Sequence, residues 1–410
     1  MRGKWGKSSK WGKSENSEEM GKSGKPTSPI SPISTISTYL KGDKIIWAIA
    51  LLLFIFSVFI VYSTGSKLGN PTKRESLGFL FWGHIFYYVL GFILIYIMSN
   101  VNYRWIGRLS KIGFLAGIIL VLLTFIFGES FGEAKRSLRI FGISFQTIQL
   151  AEVLFIIYFA QWIARIKGEI NNIRNTLIPI LLYICVTCLL IVSQKTSGAI
   201  IMGTTYFAML FVSQLKKRYF FAITACILIT ASLFVFILLK TDTTLFRANT
   251  AKARIEAYIG TTELNKETII TEAAIARGGL LPNPGGSVLM GSVGESFSDY
   301  IYAFFIEEYG ALLGILLMWL YVALFFRVRK AAIHIQSTFG AYLAMGLGFF
   351  IVFQAFTHIM VCIGYFPATG ETLPLVSRGG MSIVTMSLCM GILLNISQEA
   401  KEDRKMFENL

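Results

Sequence analysis

Ten long apolar runs constrain this chain more than any other feature. They lie at 45–62, 77–98, 112–128, 147–164, 177–193, 198–214, 219–239, 300–326, 339–362 and 379–397. About 20 apolar residues are needed for a helix to cross the hydrocarbon core of a bilayer. Each run is near that length, so the expectation is an all-α integral membrane protein of about ten transmembrane helices. Composition agrees: 54% of the residues are hydrophobic, 15% are charged, and the mean hydropathy is +0.62. Residues 1–44 repeat Lys-Trp-Gly-Lys-Ser and then run through Ser, Pro and Ile, which reads as a disordered basic tail. The membrane domain is expected over 45–397, with a long loop at 240–299 between helices 7 and 8 and a tail at 398–410.

A formal charge of +15 would suggest nucleic-acid binding in a soluble chain. Here it reports topology. With the N-terminus placed in the cytoplasm, the inner loops carry Arg104, Arg108, Lys111, Arg165, Lys167, Arg174, Lys216, Lys217, Arg218, Arg327, Arg329 and Lys330 against the single acid Glu169. The short outer loops carry fewer: Lys67, Lys73, Arg74, Lys135, Arg136, Arg139, Lys195 and Arg378. Under the positive-inside rule both termini are cytoplasmic, in the inner membrane, and the 240–299 loop is extracytoplasmic. The five Cys fall in or beside apolar runs and give no disulfide framework. No Walker loop, zinc motif or dinucleotide fingerprint occurs, which argues against an ATP-driven pump. His84 and His358 stand alone in their spans and read as packing residues.

Acids are costly inside a bilayer, so Glu152, Glu307 and Glu308 require an explanation. If one helix covers 300–326, Glu307 lies about 28 Å from its inner end, and Glu307 and Glu308 sit near the outer surface. Asp299 is then about 12 Å further out, at headgroup level. Residues 245–259 mix Phe246, Ile255 and Tyr258 with Arg247, Lys252 and Arg254, as an interfacial helix does. Residues 268–277 read as helix, ended by the Gly/Pro-rich stretch at 278–286. Lys135, Arg136 and Arg139 form a basic cluster on the outer side, suited to an anionic substrate.

Three segments resemble the SEDS family of bacterial cell-wall synthesis, whose members include FtsW, RodA and SpoVE. Ala134-Lys135-Arg136-Ser-Leu-Arg139 with Ser144-Phe145-Gln146 is similar to the family's Ala-Lys-Arg-Trp-Ile…Ser-Phe-Gln-Pro-Ser-Glu. Pro284-Gly285-Gly286-Ser287, Ser298-Asp299-Tyr300-Ile301-Tyr302-Ala303 and Glu307-Glu308-Tyr309-Gly310 resemble Pro-Gly-Asn-Ser…Thr-Asp-Phe-Ile-Phe-Ala…Glu-Glu-Leu-Gly. Phe353-Gln354-Ala355-Phe356 followed by Pro367-Ala-Thr369-Gly370…Leu373-Pro374-Leu-Val-Ser377-Arg378-Gly379-Gly380 is the most specific match. The chain departs from the pattern in places. The family's Gln-Pro-Asp-Leu-Gly-Thr is Gln194-Lys195-Thr196-Ser197-Gly198-Ala199, its Glu and Lys opening the fourth span are Gln149 and Glu152, and the Tyr of Ser-Tyr-Gly-Gly is Arg378.

The resemblance implies a ten-helix bundle acting as a peptidoglycan glycosyltransferase. Such an enzyme polymerises lipid II with release of undecaprenyl pyrophosphate. Asp299 is then the general base or its positioning partner. Lys135, Arg136, Arg139, Arg254, Ser287, Glu308, Ser377 and Arg378 are the expected substrate contacts. A divalent cation (Mg or Mn) held with help from Glu308 is a further expectation. The implied partners are a class B penicillin-binding transpeptidase and other divisome or elongasome membrane proteins, with no nucleic acid. The long N-terminal tail suits a division-type, FtsW-like member. A lipid-linked oligosaccharide flippase and an inactive divisome scaffold are alternatives that fold alone does not separate.

Overall fold

The computed structural model describes residues 41–67, 77–131, 134–140, 143–166, 177–213, 218–226, 252–255, 258, 266–282, 288–290 and 298–408. The tail before residue 41, most of the seventh run and most of the 240–299 loop, Ser287 and the 283–287 stretch included, lie outside the described residues. Helices α1 (Lys44–Lys67), α2 (Leu77–Asn100) and α3 (Tyr103–Phe127) are followed by strands β1 (Glu129–Phe131), β2 (Ala134–Ile140) and β3 (Ile143–Phe145). Next come α4 (Thr147–Ile166), α5 (Ile178–Val192), α6 (Thr196–Val212), α7 (Lys266–Gly278), α8 (Ile301–Tyr309), α9 (Ala311–His334), α10 (Thr338–Cys362) and α11 (Gly380–Glu408). Residues 218–226 are helical and match the start of the seventh run.

Seven helices among the described residues are long and apolar enough to cross a membrane, and α5 and α6 are shorter apolar helices. The chain is a multi-pass membrane protein. Burial sorts its helices into two classes. About two thirds or more of the apolar windows of α4, α10 and α11 are buried, at 67%, 67% and 72%, against 22% for α2 and α3. Trp82, Phe86, Ile112 and Phe125 accordingly present bare apolar surface, which lipid tails solvate at no cost. Within the bundle α11 packs on α2, α3 on α4, and α10 on α4, α6 and α9. Glycines and small residues on α10 permit close approach in a setting where packing rather than the hydrophobic effect joins helices.

Both ends of the membrane domain meet at one end of the bundle. The Asp43 N–H donates to Ser397 Oγ at 2.9 Å, and Arg327 Nη2 lies 2.6 Å from Asp43 Oδ2. Arg104 Nη2 lies 2.6 Å from Glu399 Oε1. The helices extend beyond the apolar runs here, so Arg104, Arg108 and Lys111 fall in the first turns of α3, and Arg327, Arg329 and Lys330 near the end of α9. At the opposite end the 129–146 stretch, expected as a loop, forms a small antiparallel sheet ordered β1-β2-β3. It adds short strands to an otherwise helical bundle.

The eighth run is two helices, not one. Gly310, with φ +84° and ψ 161°, separates α8 from α9. L-residues rarely adopt this conformation, and a Cβ at Gly310 would meet the Leu280 and Leu281 backbone at 2.6–2.7 Å. The break is useful because the first N–H groups of a helix have no partner within it. Those of Ala311 and Leu312 donate to the carbonyls of Gly279 and Leu280 at 2.9 and 3.2 Å, docking the loop that follows α7 onto α9.

Between α10 and α11 the chain makes a re-entrant excursion over 363–379. Its lowest residues reach Ser57, Tyr88 and Tyr321, each about 15–20 Å along its own helix from either end at 1.5 Å per residue, which is mid-span. Irregular backbone at that depth must find its hydrogen bonds inside the protein. It does so carbonyl by carbonyl. Thr369 O accepts from Ser197 Oγ (3.2 Å) and Arg254 Nη1 (3.0 Å), Glu371 O from His358 Nδ1 (2.7 Å), and Thr372 O from Gln354 Nε2 (2.9 Å). Leu373 O accepts from the Val376 and Ser377 N–H groups at 3.1 and 2.9 Å, closing a tight turn with Leu375 at φ +56°. Pro374 O accepts from Tyr321 Oη (2.5 Å), Leu375 O from Tyr88 Oη, and Val376 O from Ser57 Oγ (2.7 Å). Ser57 Oγ in turn accepts from His84 Nε2 at 2.8 Å. Both intraspan histidines thus support this segment.

Three substitutions test these assignments by thermal unfolding of the detergent-purified protein. Tyr321→Phe leaves the Pro374 carbonyl unpaired at mid-span and should cost about 1–3 kcal/mol. Tyr309→Phe removes a hydroxyl bonded to Phe59 O at an exposed position and should change the midpoint less. Gly310→Ala should cost at least about 1–3 kcal/mol from backbone strain. A midpoint equal to wild type would refute the reading of that position.

Candidate active site at the loop-bearing end

Asp299 lies in a turn at 298–300, immediately before α8, and is half-buried. It is not the outward continuation of a long helix, as the sequence suggests, because α8 begins at Ile301 and ends at Gly310. The turn rests on the re-entrant segment. Ser377 Oγ donates to the Ser298 carbonyl at 2.9 Å and accepts from the Leu373 N–H at 2.7 Å. Ser377 is 1% exposed. This residue, expected among the substrate contacts, holds the backbone beside Asp299. Its neighbour Arg378 is exposed.

The next residue, Tyr300, donates its hydroxyl to Glu267 Oε2 of α7 at 3.3 Å. Burial, followed by the negative charges of Glu267 and Asp299, pushes this phenol well above its ordinary range. It stays protonated at neutral pH and serves as a donor. A second carboxylate, Glu267, thus joins Asp299 around Tyr300. The sequence gives no sign of it beyond placing residues 268–277 in a helix.

Glu307 and Glu308 are adjacent in sequence but serve opposite sides of α8. Glu307, expected near the outer surface from helix length, is fully buried within the protein. Its Oε1 accepts from the Val288 and Leu289 N–H groups and its Oε2 from the Met290 N–H, all at 2.9 Å. Arg277 Nη1 lies 3.4 Å from Oε1. Three N–H dipoles and a guanidinium replace the water that the carboxylate has lost. Glu307 therefore fastens the loop leading to Asp299 onto α8. Glu308 Oε1 accepts from Ser63 Oγ of α1 at 2.6 Å.

The remaining expected contacts are distributed as follows. Arg254, in a helical turn at 252–255, donates to Thr369 O, so it joins the same segment as Ser377 and Arg378. The interfacial helix expected at 245–259 is described only over that turn and at Tyr258, whose hydroxyl donates to Tyr365 O at 2.9 Å. Lys135, Arg136 and Arg139 lie on β2, with Lys135 paired to Ser130 and Arg139 to Ser144. Arg136 is the extra residue where the β1–β2 register shifts. Ser287 lies outside the described residues.

Sequence reasoning missed Glu371, which reads as an outer-loop acid but is 3% exposed and paired with Lys195. It also missed Gln354 and His358 as donors to the re-entrant backbone. Only the motif match at 353–380 signalled that these residues belong together. Among the described residues no three His, Cys, Asp or Glu side chains group as metal ligands. Glu308, the acid expected to help hold a divalent cation, is hydrogen-bonded to α1. The described residues do not compose a site for that cation.

The arrangement has counterparts. A family model described as "Cell cycle protein", covering FtsW, RodA and SpoVE, matches residues 43–402. A probable peptidoglycan glycosyltransferase FtsW from Geobacter sulfurreducens is 27% identical over 364 residues, spanning 88% of this chain and 96% of the relative. One of the same description from Borreliella burgdorferi is 27% identical, spanning 85% and 95%. Among solved structures, a chain of a peptidoglycan synthase complex that coordinates polymerization and crosslinking superposes with a TM-score of 0.65 at 20% identity, over 85% of this chain and 97% of that one. The rod shape determining protein RodA of Thermus thermophilus gives a TM-score of 0.61 at 18% identity, over 88% and 98%. At those identities the structures speak for the fold, and the sequence match for the family. The chain is a member of the FtsW, RodA and SpoVE family of cell cycle proteins.

Proposed function

We propose that this protein is a peptidoglycan glycosyltransferase that polymerises lipid II, with Asp299 as the base. The observation that carries the reading is the mounting of Asp299. It is half-buried on a turn whose backbone is held by Ser377, between the loop fastened by Glu307 and the re-entrant segment that also receives Arg254. Family membership and relatives described as probable peptidoglycan glycosyltransferases support it.

In the reaction, the 4-hydroxyl oxygen of the acceptor sugar attacks the anomeric carbon of the donor. The bond from that carbon to the pyrophosphate oxygen breaks, and undecaprenyl pyrophosphate leaves. The hydroxyl proton passes to the ionised Asp299 carboxylate, or Asp299 orients the hydroxyl for its transfer. Negative charge grows on the leaving pyrophosphate, where cations count most. Arg254 of the 252–255 turn, Arg378 on the re-entrant segment, and Lys135, Arg136 and Arg139 on β2 are the groups assigned to it. Ser287 and Glu308 complete the expected contact set. Every step is assigned to the chain's own residues.

The lipid anchor of the substrate explains why the site is built on a membrane bundle. The partner in this reading is a class B penicillin-binding transpeptidase, supported by the likeness to a complex of coordinated polymerization and crosslinking. Both termini face the cytoplasm, supported by the basic residues gathered at that end of the bundle.

Asp299→Asn should leave a folded protein that extends glycan from lipid II at least roughly 100-fold more slowly, the scale of a lost acid–base group. The assay uses purified protein with its transpeptidase partner. Wild-type polymerisation by this variant would remove Asp299 from catalysis. Lipid II translocation in vesicles without polymerisation would replace the enzyme by a flippase. Cytoplasmic reporters fused to each terminus should both be active, and an inactive fusion at either would overturn the topology.

A further inference from the structure

The re-entrant segment is held at a second shoulder that the proposed chemistry does not use. Glu371, 3% exposed, has its Oε2 at 2.7 Å from Lys195 Nζ. Lys195 is the N-cap of α6, and its side chain is 15% exposed. Glu152 of α4, also 3% exposed, interacts electrostatically with both. Its Oε1 rests against Gly198 in the first turn of α6, in space that a Cβ there would occupy. Three ionisable side chains from α4, the α5–α6 turn and the re-entrant segment thus converge away from water. Two of them are the departures from the family pattern: an acid at 152 where the pattern has Lys, and a Lys at 195 where it has Pro. They are brought together in space, and Glu371 supplies the second carboxylate.

A buried ion pair adds little net stability, because desolvation offsets the attraction, yet removing one partner leaves a costly unpaired charge. Such a cluster therefore fixes an arrangement more than it strengthens a fold. The arrangement fixed here leads to Asp299. Six residues after Glu371, Ser377 carries the hydroxyl that holds Ser298, and the intervening Leu373 N–H is bonded to the same hydroxyl. We propose that the Lys195–Glu371 pair, with Glu152 as its second carboxylate, is a positioning device for Asp299. It pins the upstream shoulder of the re-entrant segment so that the Ser377 hydroxyl stays under the Ser298 carbonyl. None of the three touches the reacting atoms. The kinetic part of this inference rests on the polymerase reading, whereas the structural part does not.

The test uses the full chain in nanodiscs and two readouts. Hydrogen exchange of peptides covering 296–303 reports the Asp299 turn whatever the protein does. Lipid II polymerisation with the partner transpeptidase reports the chemistry. Glu371→Gln should accelerate exchange at 296–303 by roughly tenfold or more, as local opening does, while peptides from α10 and α11 keep wild-type rates. It should lower kcat by roughly 10- to 100-fold, the scale of a misplaced catalytic group, with KM within about twofold. The double variant Lys195→Glu with Glu371→Lys restores the pair in reverse and should recover both readouts to within about threefold. If Glu371→Gln does not fold, Lys195→Met and the double variant are read in the same way. Wild-type exchange at 296–303 in a folded single variant, or a double variant no better than the singles, would overturn the device. If wild-type protein polymerises nothing, the functional reading fails, and the exchange arm still decides the positioning.

Discussion

A stretch of non-helical backbone at mid-span must hydrogen-bond within the protein, and much of this structure is arranged around that requirement. The carbonyls of Thr369, Glu371, Thr372, Pro374, Leu375 and Val376 each accept from a side chain. The donors come from α1, α2, α6, α9, α10 and the 252–255 turn. An unpaired group at this depth would cost several kcal/mol, so the segment forms only when those elements are assembled around it. The fold and the candidate site are thereby one cooperative unit. Ser377, at the end of the segment, passes its geometry to the Asp299 turn.

The same economy of charge governs the acids. Glu307 is buried because three N–H groups and Arg277 receive it, and Glu371 because Lys195 does. Each links two segments beside the site: the loop before Asp299 to α8 in one case, the re-entrant stretch to the α5–α6 turn in the other. Asp299 differs in being half-exposed, which fits a group that must exchange a proton with substrate. Around it the protein uses its buried charges for placement, while Arg254 donates to Thr369 O and Arg378 lies exposed at the end of the re-entrant segment.

How much of this was legible in the chain varied with the distance over which the residues act. Apolar runs revealed the described spans because length and hydropathy are local properties. The helix at Lys266–Gly278 was visible for the same reason, ended by its glycines and prolines. Gly310 shows where local reading fails. One Gly in an apolar run is compatible with a continuous helix, and only the contact with Leu280 and Leu281 reveals why the chain breaks there. Glu371 shows the converse error, a carboxylate in a stretch that reads as loop yet lies buried beside a lysine from another turn. The motif match at 353–380 found the right segment without revealing that it descends into the bundle.

From the sequence alone, then, come the membrane class, the approximate spans, the basic end of the bundle, the family and the identity of Asp299 as the acid to watch. All depend on composition, order or short motifs, which survive without a fold. Tertiary structure alone decided that Ser377 holds the backbone beside Asp299, that Glu307 is an anchor, and that Glu152, Lys195 and Glu371 meet. Each of those depends on which distant carbonyl, amide or charge lies within hydrogen-bonding reach. In a bilayer, where water cannot satisfy a stray polar group, that proximity determines the role a polar residue plays.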